Sequence, residues 1–354
     1  MLVQGYAVGR AGRPWPAAAL GVDHVRFRPS RLYCTTAPAS PERMSARSAG
    51  LAALVAVIWG LCFVIIQAAL PSPAPLLLAG LRALIGGAVL ASWVVLSRWP
   101  ARLGQSRAGS FRPGSWIRGL PSMRLVILLA LANAAVAFGA MYLAAGRAEA
   151  AVASILAGGQ PVVLAAAGWA FFGERTSMRS AAGLMIATAG VVLVATTSSG
   201  ATSPDGVALA LLATAAPAGG TIVMRQVGSS VDVLTTTSVQ FLLGGAILLG
   251  VSAALEPWAT LSWSPATIIG LFVLGVLGTG IAYVVWFWLL KQVSLVGLGA
   301  ALFLVPVVGV VSGVLTGNRP QPIELAGIVA ILAGIGLVSE PRERPRTAGL
   351  PTAE

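Results

Sequence analysis

The segment LRALIGGAVL at residues 81–90 is matched, without a gap, by VQFLLGGAIL at residues 239–248. The two segments lie 158 positions apart in a chain of 354 residues. Further matches at similar separations are two prolines and two pairs of glycines, namely Pro161 with Pro306, Gly183 with Gly327, and Gly190 with Gly334. Self-similarity at a long and nearly constant period predicts that the chain is built from two copies of one structural unit.

The segments around these matches are apolar runs of about the length that crosses a bilayer core. Hydrophobic residues make up 57% of the chain and charged residues 10%, whereas a soluble domain carries about 25% charged residues. We therefore predict an all-α polytopic membrane protein with ten transmembrane helices, at residues 50–70, 75–97, 124–145, 148–172, 179–198, 206–225, 233–254, 266–290, 293–316 and 322–339.

Each copy of the unit holds five of these spans, in residues 50–198 and residues 204–339. Because five is an odd number, the second copy enters the membrane from the opposite side, so we predict two inverted five-helix repeats. Folds of this kind place a substrate path between the halves near the membrane midplane, and interrupted helices mark that path. Pro161 and Pro306 lie inside spans 4 and 9, and we expect a helix break or hinge at each proline.

The basic residues predict the orientation of the spans. Of the 23 Lys and Arg residues, 20 lie in the two tails or near the loops that follow even-numbered spans, and only Arg147 and Arg319 lie on the other side. The positive-inside rule then puts both termini in the cytoplasm of a multi-pass protein of the cell membrane, inner or plasma. The net charge of +12 is thus explained by topology, and we expect no nucleic-acid partner. The pattern fits a monomer or a homodimer.

The two ends of the chain differ from the spans. Residues 1–49 are basic and rich in proline, and they contain no apolar run of spanning length. They are interpreted either as a disordered tail or as the product of an upstream start codon, with a natural start near Met44. Residues 340–354 are expected to form a cytoplasmic tail.

Arg82 is the only basic residue well inside a span. A buried arginine costs on the order of 2.5–3.5 kcal/mol on insertion scales, so it usually faces a cavity or a partner. Two interpretations are open: Arg82 attracts an anionic group such as a substrate carboxylate, or its side chain extends to the outer headgroups. Its repeat counterpart is Gln240, a neutral residue, which favours an asymmetric site.

Two amides, Asn133 and Gln160, lie near mid-membrane on spans 3 and 4. An amide without a hydrogen-bond partner is costly in hydrocarbon, so each must face protein or a cavity. They are candidates for substrate contact, and hydrogen bonding between helices is the alternative.

Aromatic residues in the spans suit an amphipathic or aromatic substrate, and Trp59, Tyr283 and Trp286 are the candidates. Most membrane aromatics are interface anchors instead. Tyr142 is interpreted as a possible anchor. Trp59 lies about midway along span 1 and is a better cavity candidate than Trp288.

Small residues recur at close helical spacing in spans 5, 9 and 10. Such spacing lets helices approach closely, so a packing role is predicted and a substrate role is not. The glycines concerned are Gly183, Gly190, Gly309, Gly313, Gly327 and Gly334.

The sequence lacks the residues that several functional classes need. The only histidine, His24, and one of the two cysteines, Cys34, precede the first span, while Cys62 lies inside it. Neither a metal-binding spacing nor an intramembrane catalytic cluster is present, so we expect no enzyme, no metal and no cofactor. Every acidic residue lies at a span end or in a loop, which leaves coupling through an edge residue such as Glu149, or a facilitator or exchanger.

The order of these segments resembles the EamA family of the drug/metabolite transporter superfamily, over residues 50–339. The resemblance rests on Trp59-Gly60 in the first span, Gly173-Glu174-Arg175 after span 4, and the Gly-Val-rich spans 5 and 10. The second unit departs from the family pattern, with Gly317-Asn318-Arg319 in place of Gly-Glu-Arg and Val305-Pro306 in place of Glu-Pro.

The inverted repeat predicts a transporter that works by alternating access between its two halves. The resemblance implies a small metabolite, an amino acid or a similar polar or amphipathic compound, and export as the direction. The alternatives are a facilitator or channel-like uniporter without proton coupling and, less well supported, an intramembrane enzyme.

Overall fold

The computed structural model describes residues 45–69, 73–103, 120–147, 160–173, 177–196, 203–227, 231–315 and 321–339. The regular secondary structure of these residues is entirely helical. We label the helices in chain order as α1 (Ala46–Ala69), α2 (Pro75–Leu103), α3 (Met123–Ala145), α4 (Gln160–Phe172), α5 (Met178–Thr196), α6 (Pro204–Val227), α7 (Val233–Leu255), α8 (Pro265–Leu290), α9 (Leu295–Leu315) and α10 (Pro322–Ser339).

Seven of the described helices, α1, α2, α3, α6, α7, α8 and α9, are long and apolar enough to cross a membrane. The described parts of α4, α5 and α10 are shorter apolar helices. The prediction of an all-helical polytopic membrane protein is confirmed for this part of the chain. Residues 1–44 of the tail predicted at 1–49, the tail predicted at 340–354, and the first part of the span predicted at 148–172 lie outside the described residues. Residues 46–49 belong to α1, so the first helix begins earlier than predicted.

Helices α7, α8 and α9 begin at side-chain caps. Asp232 accepts a hydrogen bond from the backbone N–H of Thr235, Ser264 caps α8, and Ser294 caps the first segment of α9. Each cap satisfies one of the N–H groups that the first turn of a helix leaves without a partner.

The start of α2 is capped from a distant part of the chain. The first turn of α2 contains no acidic residue. Its backbone N–H groups at Leu76 and Leu77 instead donate to the two carboxylate oxygens of Glu256, at 2.7 and 2.9 Å. Glu256 directly follows α7, so this contact holds the end of α7 against the beginning of α2 and makes the two helices antiparallel.

Glycines allow close backbone approach between α5 and α10. A methyl group added to Gly183 would lie 2.7 Å from the carbonyl oxygen of Gly334, and one added to Gly190 would lie 2.5 Å from that of Gly327. These four glycines therefore lie in a helix–helix contact. Gly309 is half-buried on α9. Gly313 lies outside the positions whose packing is described.

Helices α3 and α8 each contain a π-helical segment. It covers Ala130–Val136 in α3 and Val276–Ile281 in α8, so the two segments start 146 residues apart. A π-helical turn shifts the backbone hydrogen-bond pattern and is frequent at functional sites. In α8 the carbonyl of Gly278 accepts a hydrogen bond of 3.1 Å from the indole N–H of Trp59.

Helix α9 is interrupted just before Pro306. Its two segments are Leu295–Ala301 and Leu304–Leu315, and the turn between them lies at residues 302–303. In a continuous helix the carbonyl of Leu302 would accept from residue 306, which as a proline has no N–H. It accepts from the N–H of Val305 instead, at 3.0 Å.

Helix α4 contacts the first segment of α9 at Pro161, the proline that the sequence repeat pairs with Pro306. Pro161 lies in the first turn of the described part of α4 and is buried. A methyl group added to Gly299 on α9 would lie 3.2 Å from the Cα atom of Pro161. The two prolines that the sequence repeat pairs are therefore brought to neighbouring parts of the bundle.

Candidate functional site

A cavity lies between helices of both halves of the chain. The cavity is partly open, and its empty space together with the adjoining open solvent is about 880 Å³. Its wall is largely apolar and aromatic, with a few polar groups, as in many small-molecule sites. The aromatic and polar side chains on the wall are Trp59, Phe63, Phe138, Tyr283, Trp286, Arg82, Gln160, Thr214 and Thr221.

The cavity extends from the middle of the bundle toward one end. Ala144 near the end of α3 and Ala210 near the start of α6 line it. That end of the bundle also holds the ion pair of Arg147 and Asp205, whose N–O distance is 3.3 Å. At mid-bundle the wall is formed by Val305, beside the interruption of α9.

Arg82 is buried in the wall of this cavity, with 2% of its surface exposed. Its Nε donates to the hydroxyl oxygen of Thr279 at 3.1 Å, and Nη2 donates to the sulfur of Cys62 at 3.5 Å. The guanidinium carbon lies 4.6 Å from the centre of the Phe138 ring. The side chain therefore points into protein, and the interpretation in which it extends to the headgroups does not describe this structure.

The charge of Arg82 has no carboxylate partner among the residues described as lining the cavity. A thiol and a thioether are weak hydrogen-bond acceptors, so the contacts of the guanidinium with Cys62 and Met141 satisfy its donors poorly. A guanidinium binds carboxylates with two parallel hydrogen bonds. The electrostatics of the cavity thus favour an anionic group beside Arg82.

Aromatic residues in the cavity wall and directly behind it form one continuous cluster. The ring of Trp59 lies 4.9 Å from that of Trp286 and 5.5 Å from that of Tyr283, and Tyr283 meets Phe241 edge-on at 4.8 Å. The hydrogen bond from Trp59 to the π-helical segment of α8 holds the indole in place. Trp288 lies outside the cavity wall, 39% exposed, with the guanidinium of Arg47 over its ring.

The structure brings Trp59, Arg82, Gln160, Tyr283 and Trp286 together around the cavity. Asn133 and Gln240 lie elsewhere: the side-chain amide of Asn133 donates to Gln240 across the α3–α7 contact at 3.5 Å. Both are buried, and their remaining polar atoms, Asn133 Oδ1 and Gln240 Nε2, have no hydrogen-bond partner among the described residues.

Tyr142 differs from its sequence-based interpretation as an interface anchor. It is buried, with 3% of its surface exposed, because α3 turns this face toward the core. An anchor keeps its polar tip in the headgroup region, which this environment does not allow.

Sequence reasoning did not identify Thr279, Cys62 and Phe138 as neighbours of Arg82. Thr279 lies 146 positions after Asn133, the separation between the starts of the two π-helical segments, and this relation is visible only in the structure. Groups of three or more metal-ligating side chains are absent from the part of the chain that the structure describes.

Both halves of the chain match a known protein family. The model of the EamA-like transporter family matches residues 47–196 and again residues 205–340. The chain is 27% identical over 306 residues to the uncharacterized transporter YvbV of Bacillus subtilis, covering 86% of this chain and 95% of that protein. It is 30% identical over 307 residues to a probable amino-acid metabolite efflux pump of Salmonella typhimurium, covering 82% of this chain and 94% of that protein.

A solved crystal structure has a similar fold. It superposes with a TM-score of 0.63 at 20% sequence identity, and the match covers 83% of this chain and 98% of that chain. At this level of identity the similarity concerns the fold.

Proposed function

Because this chain belongs to the EamA-like transporter family, we propose that it carries a small amphipathic metabolite with a carboxylate group across the cell membrane. The observation that carries the proposal is the buried guanidinium of Arg82, which faces an aromatic cavity without a carboxylate partner among the described wall residues. The guanidinium suits the carboxylate of the substrate, and the faces of Trp59 and Trp286 suit its apolar part. Amino acids and related acids have this chemistry.

Family membership and the names of the similar proteins indicate a transporter rather than an enzyme. The proposed mechanism is alternating access between two inverted five-helix units that together make ten spans. It is supported by the two matches to one family model and by the π-helical segments in both α3 and α8. Substrate binds near the midplane, between the units.

Export is the proposed direction, and its support is the Salmonella relative that is described as a probable efflux pump. We place the protein in the cell (inner or plasma) membrane with both termini in the cytoplasm, on the distribution of basic residues. In that orientation the end of the cavity lined by Ala144 and Ala210 lies toward the outside.

A second candidate is a facilitator without proton coupling. It is favoured by the composition of the cavity wall, where the described residues include no carboxylate that could titrate. Proton-driven carriers usually contain an ionisable group within the membrane that binds and releases the proton.

Counterflow in proteoliposomes tests the proposal with three probes that share one aromatic ring: phenylpyruvate, phenylalanine and phenethylamine. We expect saturable flux and trans-stimulation for the two probes that carry a carboxylate, and none for the amine. Linear flux without trans-stimulation would refute the carrier mechanism. Metabolite profiling of cells with and without the gene then identifies the natural substrate.

An Arg82 series tests which residue binds the carboxylate. Hydrogen bonds to charged groups contribute about 1.5–3 kcal/mol, so Arg82→Gln should reduce kcat/KM by roughly 10- to 150-fold. Arg82→Lys should recover part of this loss, since it keeps the charge but not the bidentate geometry. Arg47→Gln is the matched control, because Arg47 lies on the exposed face of α1. Wild-type transport by Arg82→Gln would show that Arg82 does not bind the substrate carboxylate.

A further inference from the structure

A row of polar side chains is buried in the first part of α7, away from the cavity. These residues have no exposed surface, and they are Thr235, Thr236, Thr237, Ser238 and Gln240. Thr237 donates to the carbonyl of Val233 and Ser238 to that of Thr235, so those two hydroxyls are satisfied within the helix. The hydroxyl oxygen of Thr236 has no partner among the described residues.

Thr236 and Gln240 are four residues apart and share one face of α7. Asn133 on α3 contacts Gln240. We call these three residues the polar seam. It holds three of the four buried side-chain polar atoms that lack a hydrogen-bond partner in the described part of the chain, namely Thr236 Oγ1, Gln240 Nε2 and Asn133 Oδ1.

Unpartnered buried polar groups are rare in native proteins, because each has lost its hydrogen bonds to water without replacement. Three of them on one seam therefore require an explanation. In a protein with two conformations, such groups can be satisfied in the second one, where the seam meets water or a ligand.

The sequence repeat relates the polar seam to the cavity. Arg82 and Gln240 are separated by the same 158 residues as the matched segments, and Thr279 and Asn133 by the 146 residues between the π-helical segments. The Gln240–Asn133 contact is thus the repeat counterpart of the Arg82–Thr279 contact. Arg82 of the first pair lines the cavity, whereas Gln240 and Asn133 are buried against each other in the α3–α7 contact.

The two pairs also point toward opposite ends of the bundle. The cavity reaches Ala144, one residue before the end of α3. The polar seam begins at Thr236, in the first turn of α7, and the start of α7 lies away from the end at which Glu256 caps α2. In the orientation proposed above, the cavity faces outward and the seam faces the cytoplasm.

We propose that the polar seam is the closed wall of a second cavity, which opens toward the cytoplasm when the present cavity closes. This inference rests on the proposed alternating-access function and adds the site that receives substrate from inside the cell. The amide N–H of Gln240 suits a carboxylate, and the carbonyl oxygen of Asn133 suits an ammonium group, so the site fits an amino acid. Since a neutral amide binds a carboxylate more weakly than a guanidinium does, this side has the lower affinity.

Thiol labelling with membrane-impermeant 2-(trimethylammonium)ethyl methanethiosulfonate tests the proposal. The seam reporter is Thr236→Cys in a chain with both native cysteines replaced, and the cavity reporter is native Cys62 in a Cys34→Ser chain. Ala246→Cys, on the face of α7 that is exposed at the surface of the bundle, is the lipid-facing control. Each protein is labelled in intact cells and in inside-out vesicles.

We expect Cys62 to react in intact cells, the seam reporter to react in inside-out vesicles, and the control to react in neither. An unreactive seam reporter, or one that reacts from the same face as Cys62, would overturn the proposal. Asn133→Cys is a second seam reporter, on the facing helix, for use if Thr236→Cys does not reach the membrane.

A final comparison separates this proposal from the carrier mechanism. With Cys62 retained beside Thr236→Cys, prior modification of Cys62 should slow labelling of the seam by roughly tenfold, because the adduct holds the outward-facing state. Labelling of both sites from opposite faces at independent rates would support an exposed seam but refute alternating access.

Discussion

Replacing Glu256 tests whether α2 depends on a cap from the other half of the chain. The carboxylate accepts the backbone N–H groups of Leu76 and Leu77 and the hydroxyl of Ser252, and it is half-buried. Glu256→Ala leaves two N–H groups at the start of α2 without partners. It also removes a negative charge from a helix N-terminus, where such a charge is stabilising.

The magnitude follows from these contacts. A hydrogen bond to a charged group contributes about 1.5–3 kcal/mol, and partial exposure places each bond at the lower end, so Glu256→Ala should lower the free energy of unfolding by about 3 kcal/mol. Glu256→Gln keeps one acceptor oxygen and should cost about half as much. Ser252→Ala leaves both backbone bonds intact and should cost about 1 kcal/mol or less.

The assay is unfolding of the purified protein by sodium dodecyl sulfate in dodecyl maltoside, followed by tryptophan fluorescence. Glu324→Ala is the matched control, because the Glu324 carboxylate also accepts a backbone N–H, that of Gln321, but locally and at the surface. A local exposed cap of this kind contributes about 1 kcal/mol. Equal losses for Glu256→Ala and Glu324→Ala would refute the view that the long-range cap joins α2 to α7.

Three further predictions concern packing, the site and topology. Gly334→Ala should destabilise the protein by about 1–3 kcal/mol, because the added methyl group meets the backbone of α5. Gly336→Ala, with open space around the added methyl group, should be neutral or stabilising. Equal effects of the two variants in the same unfolding assay would contradict this. Trp59→Phe loses the hydrogen bond to α8 and should lower the free energy of unfolding by about 1 kcal/mol, and an unchanged value would show that the bond contributes nothing. A cysteine at Ser106 should be labelled only in permeabilised cells, and labelling of intact cells would reverse the proposed orientation.

The sequence repeat and the apolar composition predicted the fold class, an all-helical membrane protein. Runs of apolar residues predict helices wherever the bilayer leaves the backbone no other way to satisfy its hydrogen bonds. The glycines of α5 and α10 were expected in packing, and Gly183 lies against Gly334. Their partners could not be named in advance, since a spacing of small residues identifies a helix face but not the helix that meets it.

The site was predictable where residue type alone restricts location. An arginine within a span must face a cavity or a partner, and Arg82 does. The same argument applies to the amide of Asn133, yet Asn133 meets Gln240 while Gln160 lines the cavity. The cost of an unpaired amide is the same in both places, so the sequence does not distinguish a cavity from a helix contact.

By itself, the sequence determined the apolar helical runs, the clustering of positive charge in the tails and between alternate apolar runs, and the self-similarity of the two halves, because these depend on local composition and order. Only the tertiary structure decided that Glu256 caps α2, that Thr279 and Cys62 hold Arg82, and that one of two repeat-related polar pairs is open while the other is closed. Those outcomes depend on the rotation and tilt of each helix against its neighbours. Rotation and tilt are set by packing between residues far apart in the chain, and periodicity along one helix does not contain them.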